Sequence, residues 1–115
     1  MDLTINKKET YTQVSINEVR LDALVSPIFK KKMEEIISND GGEILLDISQ
    51  LSFMDSSSLG TMVAVLKLTG KQGKMVIFGA SGGVLELFKL TRMDSVFTLV
   101  DSIKEAESMF SVSMA

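Results

Sequence analysis

The chain has 115 residues, the size of one domain, and its 45% hydrophobic and 23% charged composition suits a globular, soluble protein and not a disordered tail. It contains no cysteine and no histidine, which removes disulfides, thiolate chemistry, the commonest general base and the commonest metal ligand; no catalytic or metal-binding residue and no cofactor is assigned. A net charge of −3, from 12 basic and 15 acidic residues, leaves no electrostatic footprint for nucleic acid, and no apolar run approaches the roughly 20 residues that span a membrane. The N-terminus has no apolar core of the signal-peptide kind, so a cytoplasmic protein is expected. Lys30, Lys31 and Lys32 point in different directions around a helix and read as a solvated face, not a binding patch.

Residues 3–8 and 11–16 alternate apolar and polar positions around a turn at Glu9 and Thr10, which predicts a β-hairpin. The next stretch, NEVRLDALV, has no clear period. Ser26 and Pro27 then read as the N-cap and first residue of a helix whose inner positions are Phe29, Met33, Ile36 and Ile37, ended by Asn39, Asp40, Gly41 and Gly42. Residues 43–48, EILLDI, suit a strand covered on both faces. After a polar corner, Leu59, Met62, Val63 and Leu66 mark the inward stripe of a second helix. Gly70, Lys71, Gln72 and Gly73 break it before a buried strand at 74–78. A loop at 79–83, a third helix carrying Val84, Leu85, Phe88 and Leu90, and a strand at 96–100 follow. Ser102 is expected to cap a last helix with Ile103, Ala106 and Phe110 inward. Buried strands separated by helices pair in parallel through right-handed crossovers. The expected architecture is therefore an α/β sandwich: a mixed central sheet with an N-terminal hairpin, flanked by about four helices.

The corner itself, LSFMDSSSLG over residues 51–60, turns from an apolar run to four consecutive N-cap residue types, Asp55, Ser56, Ser57 and Ser58. Their side-chain oxygens can accept from the free N–H groups of a helix's first turn. A phosphate on one of the serines would add about −1.5 to −2 of charge at the positive end of a helix dipole, where such charge is tolerated. A serine nucleophile is disfavoured, because no G-x-S-x-G surrounds Ser57 and no histidine exists to take its proton. The GASGG segment at 79–83 lacks both the P-loop ending and the G-x-G-x-x-G spacing and reads as a connecting loop. The helix after the corner is apolar nearly all round. Thr61, Ala64, Val65 and Leu68 lie opposite its inward stripe, so they either pack on a second neighbour or form an exposed strip that docks a partner.

The segment LLDISQLSFMDSSSLGTMVAVL closely resembles the signature of STAS-domain anti-sigma factor antagonists, in which an apolar run and Asp-Ser-Ser/Thr-Gly-Leu-Gly open a helix. Arg20, Leu21 and Asp22 stand where that family has Glu-Leu-Asp, and residues 73–78 match the strand after the helix. The resemblance implies a STAS domain over residues 1–111 with a frayed tail at 112–115. It also implies that the serine directly after the aspartate, Ser56, is phosphorylated by a serine kinase that doubles as an anti-sigma factor, and that a PP2C-type serine phosphatase resets it. The partner-binding surface then comprises Asp22, Asp55, Ser57, Ser58, Leu59, Gly60, Thr61 and Val65, on a chain that is monomeric when free. Alternatives from the same resemblance are a STAS regulator of secretion or biofilm output, or a STAS module that senses a nucleotide or small anion. Two positions depart from the family pattern: Ser58 and Arg92 each stand where glycine is usual. Ser58 is thereby a rival phosphoacceptor.

Overall fold

A computed structural model of the chain describes residues 1–70 and 73–110. The hairpin forms as expected from strands β1 (Leu3–Lys7) and β2 (Thr12–Ile16), antiparallel with Leu3 opposite Ile16. Strands β4 (Glu43–Asp47), β6 (Lys74–Phe78) and β7 (Thr98–Val100) extend the sheet in parallel, in the order β1-β2-β4-β6-β7. A second ladder joins β3 (Arg20–Leu21) to β5 (Phe53–Met54), with Arg20 opposite Phe53 and Leu21 opposite Met54. This two-residue pairing was not predicted. It brings together segments more than thirty residues apart, and neither is long enough to show a period of its own.

Among the described residues four helices flank the sheet: α1 (Ser26–Asp40), α2 (Ser56–Leu68), α3 (Gly82–Leu90) and α4 (Ile103–Met109). Period-two alternation along the central strands divides the core. Ile44, Leu46, Met75 and Ile77 face a large cluster with Phe29, Met33, Met62 and Phe88 from α1, α2 and α3. Leu45 and Val76 face the other side, covered by Ala106 and Phe110 at α4. The apolar run in β4 is thus accounted for by cover on both faces. Tyr11 stacks on Phe110 with ring centroids 4.7 Å apart, and Lys74 donates to the Met109 carbonyl, so α4 is pinned at its C-terminal end.

Several local expectations are corrected. Ser26 is not the N-cap of α1 but its first residue. It is buried, and the cap is Val25, which makes no side-chain cap bond. Helix α3 begins at Gly82, inside the expected loop, and Leu90 at its end is 78% exposed. The last strand starts at Thr98, because a 3-10 turn over Met93–Ser95 occupies the approach. The remaining cap expectation holds: Ser102 accepts from the Glu105 N–H at 3.0 Å. In α2 the buried residues are Ser58, Leu59, Met62 and Val65, while Val63 and Leu66 are half-buried at the edge of the core. Val65, expected on the outward side, has no exposed surface. The helix packs against α1 and shares the core cluster under the sheet, while of the outward residues Thr61 and Ala64 are half-buried and Leu68 is exposed. The domain end at 111 and the tail at 112–115 lie outside the described residues.

Arg92 has φ +61°, a left-handed conformation that disfavours side chains bearing a Cβ. At Gly73 a Cβ would collide with the Thr69 carbonyl and lie 2.6 Å from the Gly42 carbonyl, so the chain passes between α2 and β6 only because this residue has none.

Candidate functional site: the corner at the start of α2

Asp55 ends the short β5 ladder in extended backbone (φ −99°, ψ 174°), and α2 begins at the next residue. Of the four cap residue types in a row, Asp55 is the one used. Its Oδ1 accepts from the Ser58 N–H at 2.9 Å and from the Ser58 hydroxyl at 2.8 Å. Its Oδ2 accepts from the Ala23 N–H at 3.1 Å. One carboxylate therefore ties the first turn of α2 to the loop between β3 and α1. These bonds favour the charged form, first the Ser58 N–H and then its hydroxyl, and hold the Asp55 carboxyl below the usual carboxylate range.

The three serines have different surroundings although they are consecutive. Ser56, the first helical residue, is exposed, and its hydroxyl makes no hydrogen bond among the described residues. Ser57 is exposed and its hydroxyl lies 3.4 Å from Asp55 Oδ1, a long contact. Ser58 is completely buried: its hydroxyl lies 2.7 Å from the Leu21 carbonyl and 2.7 Å from the hydroxyl of Ser26. The residue expected as a rival phosphoacceptor is therefore withdrawn from the surface in the folded chain. Leu59 also faces the core, 5% exposed, whereas Gly60 is exposed and Thr61 half-buried with its hydroxyl donating to the Ser57 carbonyl.

Asp22 is half-buried and engaged on several sides. Its Oδ1 accepts from the Leu24 N–H at 3.0 Å, Oδ2 lies 3.7 Å from the Arg20 guanidinium, and its carbonyl accepts from the N–H groups of Val25 and Ser26. The same guanidinium sits 4.3 Å over the ring of Phe53 on the neighbouring strand. Of the eight expected partner-binding residues, the structure thus gathers Asp22, Asp55, Ser57, Gly60 and Thr61 around Ser56. It turns Ser58, Leu59 and Val65 inward. Ser26 and the exposed Ala23 and Leu24 belong to the same corner and were missed. The one available signal was Ser58, a side chain standing in a glycine position, which requires some polar group to receive its hydroxyl.

Among the described residues no helix is long and apolar enough to cross a membrane. Comparison with known proteins matches residues 4–106 to the STAS domain. An anti-sigma-B factor antagonist of Listeria monocytogenes is 30% identical over 80 residues, covering 69% of this chain and 70% of that relative. One from Bacillus subtilis is 22% identical over 101 residues, 86% and 92% of the two chains. Among solved structures, an anti-sigma factor antagonist from Mycobacterium paratuberculosis superposes with a TM-score of 0.85 at 16% identity, covering 95% of this chain and 92% of that one. A STAS domain protein from Planctomyces limnophilus gives 0.82 at 18% identity, covering 95% and 97%. A mixed five-stranded sheet, an aspartate-capped serine corner and a match over nearly the whole length lead to one conclusion: the chain belongs to the STAS domain family.

Proposed function

We propose that this protein is a partner-switching regulator of the anti-sigma factor antagonist type, a binding protein and not an enzyme, acting in the cytoplasm. In its unphosphorylated form it docks a serine kinase/anti-sigma regulator and releases that regulator's client. Phosphorylation of Ser56 by the regulator ends the docking, and a PP2C-type serine phosphatase restores it. The observation that carries the reading is the state of Ser56: an exposed hydroxyl without a hydrogen-bond partner among the described residues, at the first position of α2 and next to a clamped aspartate. The names of the Listeria and Bacillus relatives support the same class.

The switch works through surface charge. A phosphate on Ser56 joins the half-buried Asp55 at the centre of the docking surface. Like-charge repulsion and desolvation of the phosphate then lower affinity roughly 10- to 1,000-fold. The fold need not rearrange, because the first turn of a helix accommodates an anion. The test is incubation with the cognate kinase and ATP, followed by mapping of the phosphate by mass spectrometry. Modification is expected on Ser56 and lost in Ser56→Ala; a phosphate that persists in Ser56→Ala and disappears in Ser57→Ala rejects the site. Tight docking by Ser56→Ala with weak docking by Ser56→Asp is the matching result for the charge switch, and equal docking by the two rejects it.

A further inference from the structure

We propose that the buried hydroxyls of Ser26 and Ser58 form a clasp that fixes the loop of residues 22–25 beside Ser56, making both serines positioning residues for docking and phosphotransfer. The inference rests on the proposed switch for its functional half and on geometry alone for its structural half.

Within itself the loop is a turn closed on Asp22, whose carboxylate and carbonyl accept from the N–H groups of Leu24, Val25 and Ser26, but its tip makes little apolar contact with the rest of the fold. Ala23 and Leu24 are exposed, Leu24 at 86%, and only Val25 is partly packed against the core. Among the described residues its polar attachments to the start of α2 are the Ala23 N–H to Asp55 and, where the loop enters α1, the Ser26–Ser58 hydroxyl pair. The pair lies where the first turns of α1 and α2 meet. Ser26 Oγ is 2.7 Å from Ser58 Oγ and 2.8 Å from the Asp22 carbonyl, and Ser58 Oγ also approaches the Leu21 carbonyl and Asp55 Oδ1. The two hydroxyl protons are shared among four close contacts, the hydroxyl pair, two carbonyls and a carboxylate, two of which are hydrogen bonds at any moment, and these contacts connect residues 21–22 and Ser26 with the first turn of α2. Ser26 is 3% exposed and Ser58 not at all, so water does not compete for these bonds, and a low local dielectric strengthens them.

The second link is coupled to the first through the Asp55 carboxylate. Asp55 can hold the Ala23 N–H only while its carboxylate is oriented, and the Ser58 hydroxyl is one of the two close donors that orient its other oxygen. Removing the clasp releases the loop, and a partner must then order it on docking. That ordering weakens binding without altering the reacting hydroxyl of Ser56.

The test has two readouts. Amide hydrogen exchange is measured by NMR on the free 115-residue chain for wild type, Ser58→Ala, Ser26→Ala and Ser58→Gly; the last carries the residue usual at this family position, as insurance that one variant folds. The Ala23 N–H is expected to lose about tenfold or more of its protection in each variant, while the amides of Leu45 and Val76 in the central strands follow only the global stability. Unchanged protection at Ala23, or a loss merely parallel to that of Leu45 and Val76, overturns the clasp. With the cognate kinase, KM for phosphotransfer is expected to rise several-fold at unchanged kcat; a fall in kcat at constant KM overturns the positioning role. A wild-type chain left unphosphorylated at Ser56 refutes the switch, while the exchange experiment, which uses no kinase, still judges the clasp.

Discussion

Replacing Val65 by alanine tests which side of α2 faces the protein. Val65 has no exposed surface and belongs to the cluster that contains Phe29, Met33 and Met62. The substitution removes the equivalent of two buried methylene groups, about 1.6 kcal/mol at ~0.8 kcal/mol each. The residual cavity adds to this at ~24 cal/mol per Å³, for a total of about 2–3 kcal/mol. In a domain of this size each kcal/mol lowers Tm by about 4 °C, so a fall of about 8–12 °C is expected. Thr61→Ala is the control. It is half-buried and uses its hydroxyl only on the Ser57 carbonyl one turn back, so its change stays within about 0.5 kcal/mol. Urea and thermal denaturation measure both variants, and docking to the cognate kinase is compared below the lowered Tm. Docking by folded Val65→Ala is expected to match wild type. A variant with near-wild-type stability and weakened docking would refute the reasoning, because it would put Val65 on the open surface.

Lowering the pH should weaken the fold in part through Asp55. Its carboxyl is held below the usual range, so the unfolded chain binds this proton more readily; the contribution is complete above the ordinary carboxylate pKa and is lost as pH falls through the lower folded value. Asp55→Asn should flatten that part of the acid denaturation curve, and an unchanged curve would show that the clamp contributes no linkage. At Arg92 the left-handed backbone favours glycine, and Arg92→Gly should raise stability by up to about 1 kcal/mol, measured by urea denaturation, the gain being reduced by the greater freedom of glycine in the unfolded chain. A loss of stability would mean that the arginine side chain contributes more than its conformation costs.

The sequence by itself determined the elements whose signals are local. Alternation along residues 11–16, the wholly apolar centres of β4 and β6, the helical spacing in α1 and the Ser102 cap each depend on neighbours within a turn or a few strand positions. The serine corner was legible for the same reason, and the family resemblance singled out Ser56 within it. Tertiary structure decided what local chemistry leaves degenerate. A helix that is apolar nearly all round has no unique inward phase, so the sheet and α1, not periodicity, set the orientation that buries Val65 and leaves Val63 half-covered. Four cap residue types in succession offer several equivalent starts for α2, and the Ala23 N–H from across the fold accompanies the choice of Asp55. The β3–β5 ladder exists only once two remote segments meet, and so does the hydroxyl pair. Ser26 and Ser58 are each ordinary polar residues in their own helices; their roles come from the thirty-two positions of chain that the fold brings back to a 2.7 Å contact.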